Sequence, residues 1–189
     1  MDSPMALAAL RVYQEALAQR APELRPEVRE SGTSLLDPAP FTAARTVAES
    51  VAINQVDGPA VIVSSSGMAT GGRVLHHLRR LLPSSRNAVV IVGFAARGTR
   101  ARDLVDGVRA VKMFGEYVAV RAEVVDVPGF SAHADADEAV AWLRDAPPPH
   151  ATYLVHGEPG AAETLRNRLD DELGWTAAVP RSGERVLVR

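Results

Sequence analysis

Two histidines, His133 and His156, have the type and the setting for chemistry on a phosphate or a metal. His133 lies in the stretch GFSAHAD, directly before a helix whose start is predicted by the capping-box spacing of Asp135 and Glu138. The positive end of that helix's dipole disfavours a charged imidazole, so a neutral His133 suits contact with an anionic phosphate or a metal-bound oxygen. A capping or packing histidine would give the same local pattern, and both interpretations stay open here.

His156 closes the predicted buried strand ATYLVHG, residues 151–157. Ligands of α/β proteins bind at the carboxyl ends of parallel strands. Because the two histidines lie on successive strand–loop–helix units, parallel neighbouring strands would bring His133 and His156 to the same sheet edge. The pair is therefore a candidate for half of a metal or phosphate site.

A serine- and glycine-rich loop follows the apolar run AVIVSSS, residues 60–66, and leads into the amphipathic stretch GGRVLHHLRRLL. Backbone N–H groups and hydroxyls at a strand–loop–helix junction bind anions. Ser65, Ser66 and Gly67 are therefore candidate contacts for phosphate or an RNA backbone. The alternative is that the glycines only allow a tight turn and close packing of helix on sheet.

Three arginines near this loop, Arg73, Arg97 and Arg100, are candidate phosphate contacts because a guanidinium matches phosphate with two parallel hydrogen bonds. The glycine spacing imitates a P-loop, but Arg73 stands where the lysine belongs and no Mg²⁺-ligating hydroxyl follows it, so a P-loop NTPase is not expected. His76 and His77 are interpreted as surface or helix-face residues.

Composition limits the classes of function. The 189 residues have a net charge of −2, which argues against non-specific nucleic-acid binding by the whole surface and leaves a local basic groove open. There is no cysteine, so a metal would need histidine and carboxylate ligands, and a reducing, cytoplasmic location is expected. No apolar run reaches the ~18 residues of a membrane span, and the first residues lack the positive charge of a signal peptide.

Helical and strand patterns alternate along the chain, which predicts an α/β fold with a parallel, Rossmann-like sheet. A first helix is predicted from Pro4, capped by Ser3, to about Gln19. The further predictions are strands at 60–66, 87–94, 151–157, 176–179 and 185–189, helices within 41–55, at 71–82, at 97–108, from Asp135 and at 159–173, and sheet edges with hairpins over 110–127. No strand precedes the first helix, which suggests a fragment.

Six short blocks occur in an order that resembles one known family: DSPMA, SSSGMATGGRVLHHL, VGFAARGT, VKMFGEYVAVRAEV, GFSAHAD and YLVHGEP. Together they resemble the β-CASP branch of the metallo-β-lactamase superfamily. Its members are RNA-processing nucleases similar to the endonuclease subunit of the cleavage and polyadenylation specificity factor. The resemblance extends over essentially the whole chain.

The resemblance implies roles for particular residues. His156 would ligate one of two zinc ions, and His133 would contact the scissile phosphate or its leaving group. Ser131, in the same block as His133, joins Ser65, Ser66, Gly67 and Arg73 as an RNA or phosphate contact. In full-length members a zinc-bridged hydroxide hydrolyses the RNA phosphodiester.

The family's H-x-H-x-D-H segment is absent, since no histidine precedes His76. The chain is therefore expected to be the C-terminal part of such an enzyme, with an incomplete β-CASP domain at residues 1–122 and a βαβαββ piece of the metallo-β-lactamase domain at 123–189. We expect it to be inactive alone and to bind no zinc by itself. Its expected partners are RNA and the missing N-terminal half. The apolar face left exposed predicts self-association, for instance as a homodimer, or partial disorder of residues 123–189.

Two other functions remain open. The chain could be a non-catalytic module that binds RNA or a nucleotide through the serine–glycine loop and its arginines. It could also be a small-molecule phosphoesterase or a nucleotide-binding enzyme of the doubly wound type, although the sequence offers no cysteine and no Asp-x-Asp at a strand end as a nucleophile.

Overall fold

A computed structural model describes residues 1–31, 36, 40–130 and 133–186 of the chain. It confirms an α/β fold with parallel strand pairs, and it divides into two compact units, Met1–Gly129 and Phe130–Arg189. The elements in chain order are α1 Pro4–Ala18, α2 Pro26–Ser31, α3 Val47–Ala52, α4 Val74–Leu81, β1 Ala88–Val92, α5 Arg100–Val105, β2 Ala110–Met113, β3 Glu116–Ala119, β4 Glu123–Val127, α6 Ala136–Leu143, β5 Thr152–Tyr153, α7 Pro159–Leu173 and β6 Ala177–Ala178. Short 3-10 turns span Ile53–Gln55 and Pro128–Phe130.

Helix α1 starts as the sequence predicts. Ser3 is its N-cap, and the hydroxyl of Ser3 accepts a hydrogen bond from the backbone N–H of Ala6. Pro4 occupies the first turn, where its missing N–H leaves no helical bond unmade. The helix ends at Ala18, within one residue of the prediction.

The first unit contains a parallel pair and a hairpin. Strand β1 pairs with β4 in parallel from Ala88↔Glu123, and β2 pairs with β3 in antiparallel from Ala110↔Ala119. The hairpin turn is Phe114–Gly115, and both residues have positive φ, +50° and +83°. These strands confirm the predicted sheet edges and hairpin in residues 110–127.

The core of this unit lies between α4, α5 and the strands. Among the described residues its largest fully buried side chains are Leu82, Leu104 and Met113. Helix α4 contributes from one face only, which is the amphipathic pattern predicted for GGRVLHHLRRLL.

The prediction of a strand at residues 60–66 is wrong. Among the described residues this segment has one isolated parallel bridge, Asp2↔Ser64, instead of a ladder. Apolar sequence alone does not make a strand, because a buried parallel strand needs a hydrogen-bonding neighbour along its length. Without one, Val61 is 90% exposed and Val63 is 49% exposed.

The second unit is smaller. Its parallel strands β5 and β6 are joined by α7, which covers the predicted bounds Pro159–Leu173 and ends at Gly174 in the left-handed conformation, φ +66°. Its core consists of Val140, Leu169 and Trp175. Of the last predicted strand, residues 187–189 lie outside the described part of the chain, and Arg185 and Val186 are not in a strand. No helix among the described residues is both long enough and apolar enough to cross a membrane.

Candidate functional site

A buried carboxylate, that of Asp2, organises the polar residues around the serine–glycine loop. Oδ1 of Asp2 accepts from Nη1 of Arg73 at 2.8 Å. Oδ2 accepts from the hydroxyl of Ser50 at 2.6 Å and lies 2.7 Å from Nε2 of His77. Because an ionised carboxylate only accepts, Nε2 of His77 carries the hydrogen.

The charge state of Asp2 follows from these contacts. Burial acts to raise the pKa of Asp2, but the hydrogen bonds from Ser50, His77 and Arg73 outweigh it, so the pKa lies below its ordinary value. The carboxylate is therefore ionised at neutral pH and pairs with Arg73.

His77 is a buried member of this cluster, which the sequence interpretation missed. The residue is 4% exposed, and its other ring nitrogen, Nδ1, is buried with no hydrogen-bond partner in the described part of the chain. A signal was present in the sequence, since His77 follows Val74 by three residues and precedes Leu81 by four, on the apolar side of α4. His76 is exposed, as the sequence interpretation expected.

The serine–glycine loop is fastened to the start of the chain. The hydroxyls of Ser3 and Ser65 lie 2.9 Å apart, and the hydroxyl of Ser64 donates to the carbonyl of Asp2 at 3.0 Å. The hydroxyl of Ser66 lies 3.5 Å from that of Thr70. These contacts hold both predicted phosphate-contact serines within the structure of the loop.

Gly67 is exposed, and a Cβ built on it would have no atom within 4 Å. Gly72 has φ +80°, a left-handed conformation that favours glycine. The turn therefore requires glycine at position 72, whereas Gly67 leaves open space next to the loop.

The two arginines nearest the loop both donate to the protein itself. Besides Asp2, Arg73 donates to the carbonyls of Ala44 and Arg45, both at 3.1 Å. Arg100 donates from Nη1 to the carbonyls of Ala69 and Thr70, and from Nε to that of Lys112. Both guanidinium groups thus hold the loop and its surroundings in place.

His133 lies in the second unit, exposed and three residues before α6. The predicted capping box is present: Oδ1 of Asp135 accepts from the N–H of Glu138, and Oε2 of Glu138 accepts from the N–H of Asp135. This confirms the predicted position of His133 before a helix N-terminus. Ser131 lies outside the described residues.

His156 lies in the same unit, three residues after β5 and three before α7, and is exposed. Its φ is +66°, in the left-handed region that few non-glycine residues adopt. A Cβ on the next residue, Gly157, would lie 3.3 Å from Cβ of Ala162, so the absence of a side chain there lets the loop pack closely on α7.

The described residues do not by themselves make a zinc site. In residues 1–31, 36, 40–130 and 133–186, no group of three or more histidine, cysteine, aspartate or glutamate side chains is arranged to hold a metal ion. A structural zinc takes four protein ligands and a catalytic zinc three. The donor set of the described residues therefore does not fit the two-zinc centre that the resemblance implies.

Two family profiles match the chain in succession. Residues 1–104 match the Beta-Casp domain, and residues 117–180 match the Zn-dependent metallo-hydrolase RNA specificity domain. The chain therefore belongs to the Beta-Casp family of the metallo-β-lactamase type.

Similar curated proteins come from bacteria, archaea and animals. Ribonuclease TTHA0252 of Thermus thermophilus is 37% identical over 188 residues, which is 100% of this chain and 42% of that protein. Transcription termination factor FttA of Pyrococcus abyssi is 30% identical over 94% of this chain and 28% of that factor. Integrator complex subunit 11 of Gallus gallus is 30% identical over 69% of this chain and 22% of that subunit. The chain thus spans less than half the length of each of these relatives.

Proposed function

We propose that this chain forms the RNA-contacting β-CASP domain and the C-terminal metallo-β-lactamase segment of a zinc-dependent ribonuclease, and that it binds RNA but does not cleave it alone. The observation that carries the proposal is the incomplete donor set: both predicted site histidines are exposed, yet no metal-holding group forms among the described residues. His156 would add one ligand to a zinc site whose other ligands belong to a different part of the protein. His133 would contact the scissile phosphate.

The backbone at His156 supports a role beyond packing. A left-handed non-glycine residue is strained, and such strain is concentrated at functional sites. Gly157 removes the side chain that would otherwise push this loop away from α7. The imidazole is thereby presented from the end of a strand, where α/β folds bind ligands.

The serine–glycine loop would contact the RNA backbone through Ser65, Ser66 and Gly67. Ser131, in the second unit, is proposed separately as a further RNA contact. Gly67 has open space around it, which suits approach of a phosphate to the backbone. We assign Arg73 a positioning role, because its Nη1 and Nη2 atoms already donate to Asp2 and two carbonyls. This revises its sequence-based role as a phosphate contact.

Part of the first unit's sheet is left for another polypeptide segment or a second copy to cover. Val90 and Val125 are partners in the β1–β4 register and are 57% and 36% exposed, and Val92 on the same face is 56% exposed. Adjacent exposed valines of this kind mark interaction surfaces. We propose the remaining half of the enzyme as the partner, with self-association when that half is absent. A monodisperse monomer with little dye binding to apolar surface would contradict this.

The test is to measure binding and cleavage on the same chain. Labelled single-stranded RNA is titrated by fluorescence anisotropy at about 50 mM salt and upward, and cleavage is followed with Zn²⁺ and with EDTA. We expect binding that weakens as salt rises, and no turnover. EDTA-sensitive turnover by this chain would overturn the claim that it is inactive alone, and no binding at low salt would overturn the RNA assignment.

A double variant, Ser65→Ala with Ser66→Ala, locates the contact. If the loop binds the RNA backbone, affinity falls about equally for all RNA sequences, because phosphate contacts carry no sequence information. Thr164→Ala on α7, an exposed hydroxyl of the other unit, is the matched control and should leave affinity unchanged. Should binding persist with no dependence on these serines, the loop is not the contact.

A further inference from the structure

We propose that Arg100 is a positioning residue for RNA binding, whose guanidinium fixes the serine–glycine loop so that two backbone N–H groups of the loop face the RNA phosphate. These are the N–H groups of Thr70 and Gly71. The inference rests on the proposed function in taking the loop as the RNA contact. It replaces the role as a direct phosphate contact for which the sequence makes Arg100 a candidate.

The first observation is that the beginning of α5 binds three successive carbonyl groups of the loop. The backbone N–H of Ala101 donates to the carbonyl of Met68 at 3.2 Å. Nη1 of Arg100 donates to the carbonyls of Ala69 and Thr70, both at 3.2 Å. Three peptide groups in a row therefore have their oxygen atoms turned towards the beginning of α5.

The second observation concerns the N–H groups of the same peptides. In a planar trans peptide the N–H points in the direction opposite to the C=O, and the two peptides bound by Arg100 are trans. Their N–H groups belong to Thr70 and Gly71 and therefore point away from Arg100. In the part of the chain that the structure describes, neither N–H donates to a protein acceptor. Two adjacent N–H groups directed to one side suit an anionic oxygen.

The third observation links the Arg100 anchor to Ser66, one of the proposed RNA contacts. The N–H of Ala69 donates to the carbonyl of Ser66 at 3.1 Å, and the hydroxyls of Ser66 and Thr70 lie 3.5 Å apart. The residues that Arg100 holds thus hold Ser66 in turn. Loss of the anchor would release both the N–H groups and this hydroxyl from their positions.

The contacts of Arg100 require an arginine. Besides the two loop carbonyls, Arg100 donates from Nε to the carbonyl of Lys112 on β2 at 2.6 Å, so one guanidinium plane joins two separate segments. A lysine at this position keeps the charge but has a single ammonium on a flexible stem, without the rigid fork of donors. A positioning role and a purely electrostatic role therefore predict different results for Arg100→Lys.

The test measures the affinity of two variants for a labelled single-stranded RNA by fluorescence anisotropy. Arg100→Lys keeps the charge and Arg100→Gln removes it, and neither side chain can bind all three carbonyls. We expect both variants to bind about tenfold more weakly than the wild type, the scale of losing one hydrogen bond to a charged group. Arg86→Gln, which removes an exposed arginine beyond the far end of α4, is the control and should change affinity by less than about twofold.

A double-mutant cycle tests whether Arg100 acts through the loop. Ser65→Ala with Ser66→Ala should weaken binding in the wild type and have little further effect in Arg100→Gln, because the loop has already lost its arrangement. A residue that serves only folding, or a separate phosphate contact, would give fold-changes that multiply. Far-UV circular dichroism checks that each variant is folded in the assay, and Arg100→Lys takes the place of Arg100→Gln in the cycle if the latter is not.

The outcomes separate this inference from the proposed function. Affinity that falls in Arg100→Gln but is kept in Arg100→Lys would show that only the charge matters, and it overturns the positioning role. Fold-changes that multiply in the cycle overturn it too. Binding that is lost on mutation of Ser65 and Ser66 but unchanged in both Arg100 variants overturns this inference alone. Absence of RNA binding by the wild-type chain overturns both proposals.

Discussion

The two units of the molecule differ in what they bury. The core cluster of Met1–Gly129 contains twelve buried apolar residues among those described, and the same unit holds the ionised carboxylate of Asp2 with its three partners. Phe130–Arg189 encloses only three buried residues in its core, Val140, Leu169 and Trp175, and leaves His133 and His156 exposed. In the first unit the Asp2 cluster holds buried polar residues together, whereas in the second unit the two candidate site histidines are exposed.

Residues of the same chemical type therefore have different roles in the two units. Arg73 and His77 would be site candidates by type, yet both are bound to Asp2. His156 is the same residue type as His77, but it lies in a strained, exposed conformation. Burial and partners thus indicate whether a polar residue stabilises the fold or is available to a ligand. The four predictions below test that distinction.

The largest expected effect follows from removing the buried carboxylate. Asp2→Ala removes the anionic partner of Arg73 and the acceptor of Nε2 of His77, and breaking a buried ion pair from one side costs about 3–5 kcal/mol. We expect the free energy of unfolding of the first unit to fall by that amount, measured by far-UV circular dichroism in urea. Asp57→Ala, which removes an exposed acid of the same unit, should change it by less than about 0.5 kcal/mol.

Tryptophan fluorescence reports on the second unit alone and so shows which unit Asp2→Ala destabilises. Both tryptophans of the chain, Trp142 and Trp175, belong to the second unit. The fluorescence transition in urea should therefore stay in place in Asp2→Ala while the circular dichroism transition of the first unit moves. A shift of both by the same amount would contradict separate stabilisation of the two units.

The second prediction concerns the small core of the other unit. Leu169 is fully buried, and Leu169→Ala is expected to cost about 2–5 kcal/mol from lost burial and the cavity left behind. With so few buried neighbours to compensate, the tryptophan fluorescence midpoint should fall markedly. Asn167→Ala, an exposed change on the same helix, is the control. A fluorescence midpoint that does not move would contradict the central role of Leu169.

Local signals in the sequence predicted most of the helices correctly. The Ser3 cap and the Asp135–Glu138 capping box act within four residues, so they can be recognised without knowing the fold. The strand at residues 60–66 could not be decided in this way, since a strand depends on what lies beside it. Here its neighbour is the single residue Asp2.

The site was predictable to a lesser degree. The position of His133 before α6 follows from a local pattern, whereas the prediction that His156 closes a buried strand over residues 151–157 is wrong, since β5 is only Thr152–Tyr153 and His156 lies three residues beyond it. The buried cluster does not follow from a local pattern, because Arg73 and His77 meet Asp2 across 71 and 75 positions of sequence. No local pattern shows a contact over such a separation, so the sequence favours a phosphate contact for Arg73 and a surface or helix-face position for His77.

The third prediction is the pH dependence of the buried pair. The folded-state pKa of Asp2 lies below its ordinary 3.8, so its contribution to stability is fully present above that value and is lost as pH falls through the folded pKa. As pH falls below about 4, the wild type should lose more stability than Asp2→Asn, which has no proton to gain. Glu49 and Asp106 also have lowered pKa values, from hydrogen bonds with Thr46 and Arg102, but both proteins share them. Equal slopes in wild type and variant would contradict an ionised, hydrogen-bonded Asp2.

The smallest expected effect concerns His156, whose replacement by glycine should give a more stable unit than its replacement by alanine. The left-handed conformation costs a non-glycine residue about 1 kcal/mol, so His156→Gly should be more stable than His156→Ala by about that amount. The fluorescence midpoint of the second unit in urea measures both. His77→Ala, by contrast, should destabilise the first unit, since it removes a hydrogen bond to a buried carboxylate. If both His156 variants also destabilised their unit, the imidazole would be holding the loop, and exposure would no longer separate the site histidine from the structural one.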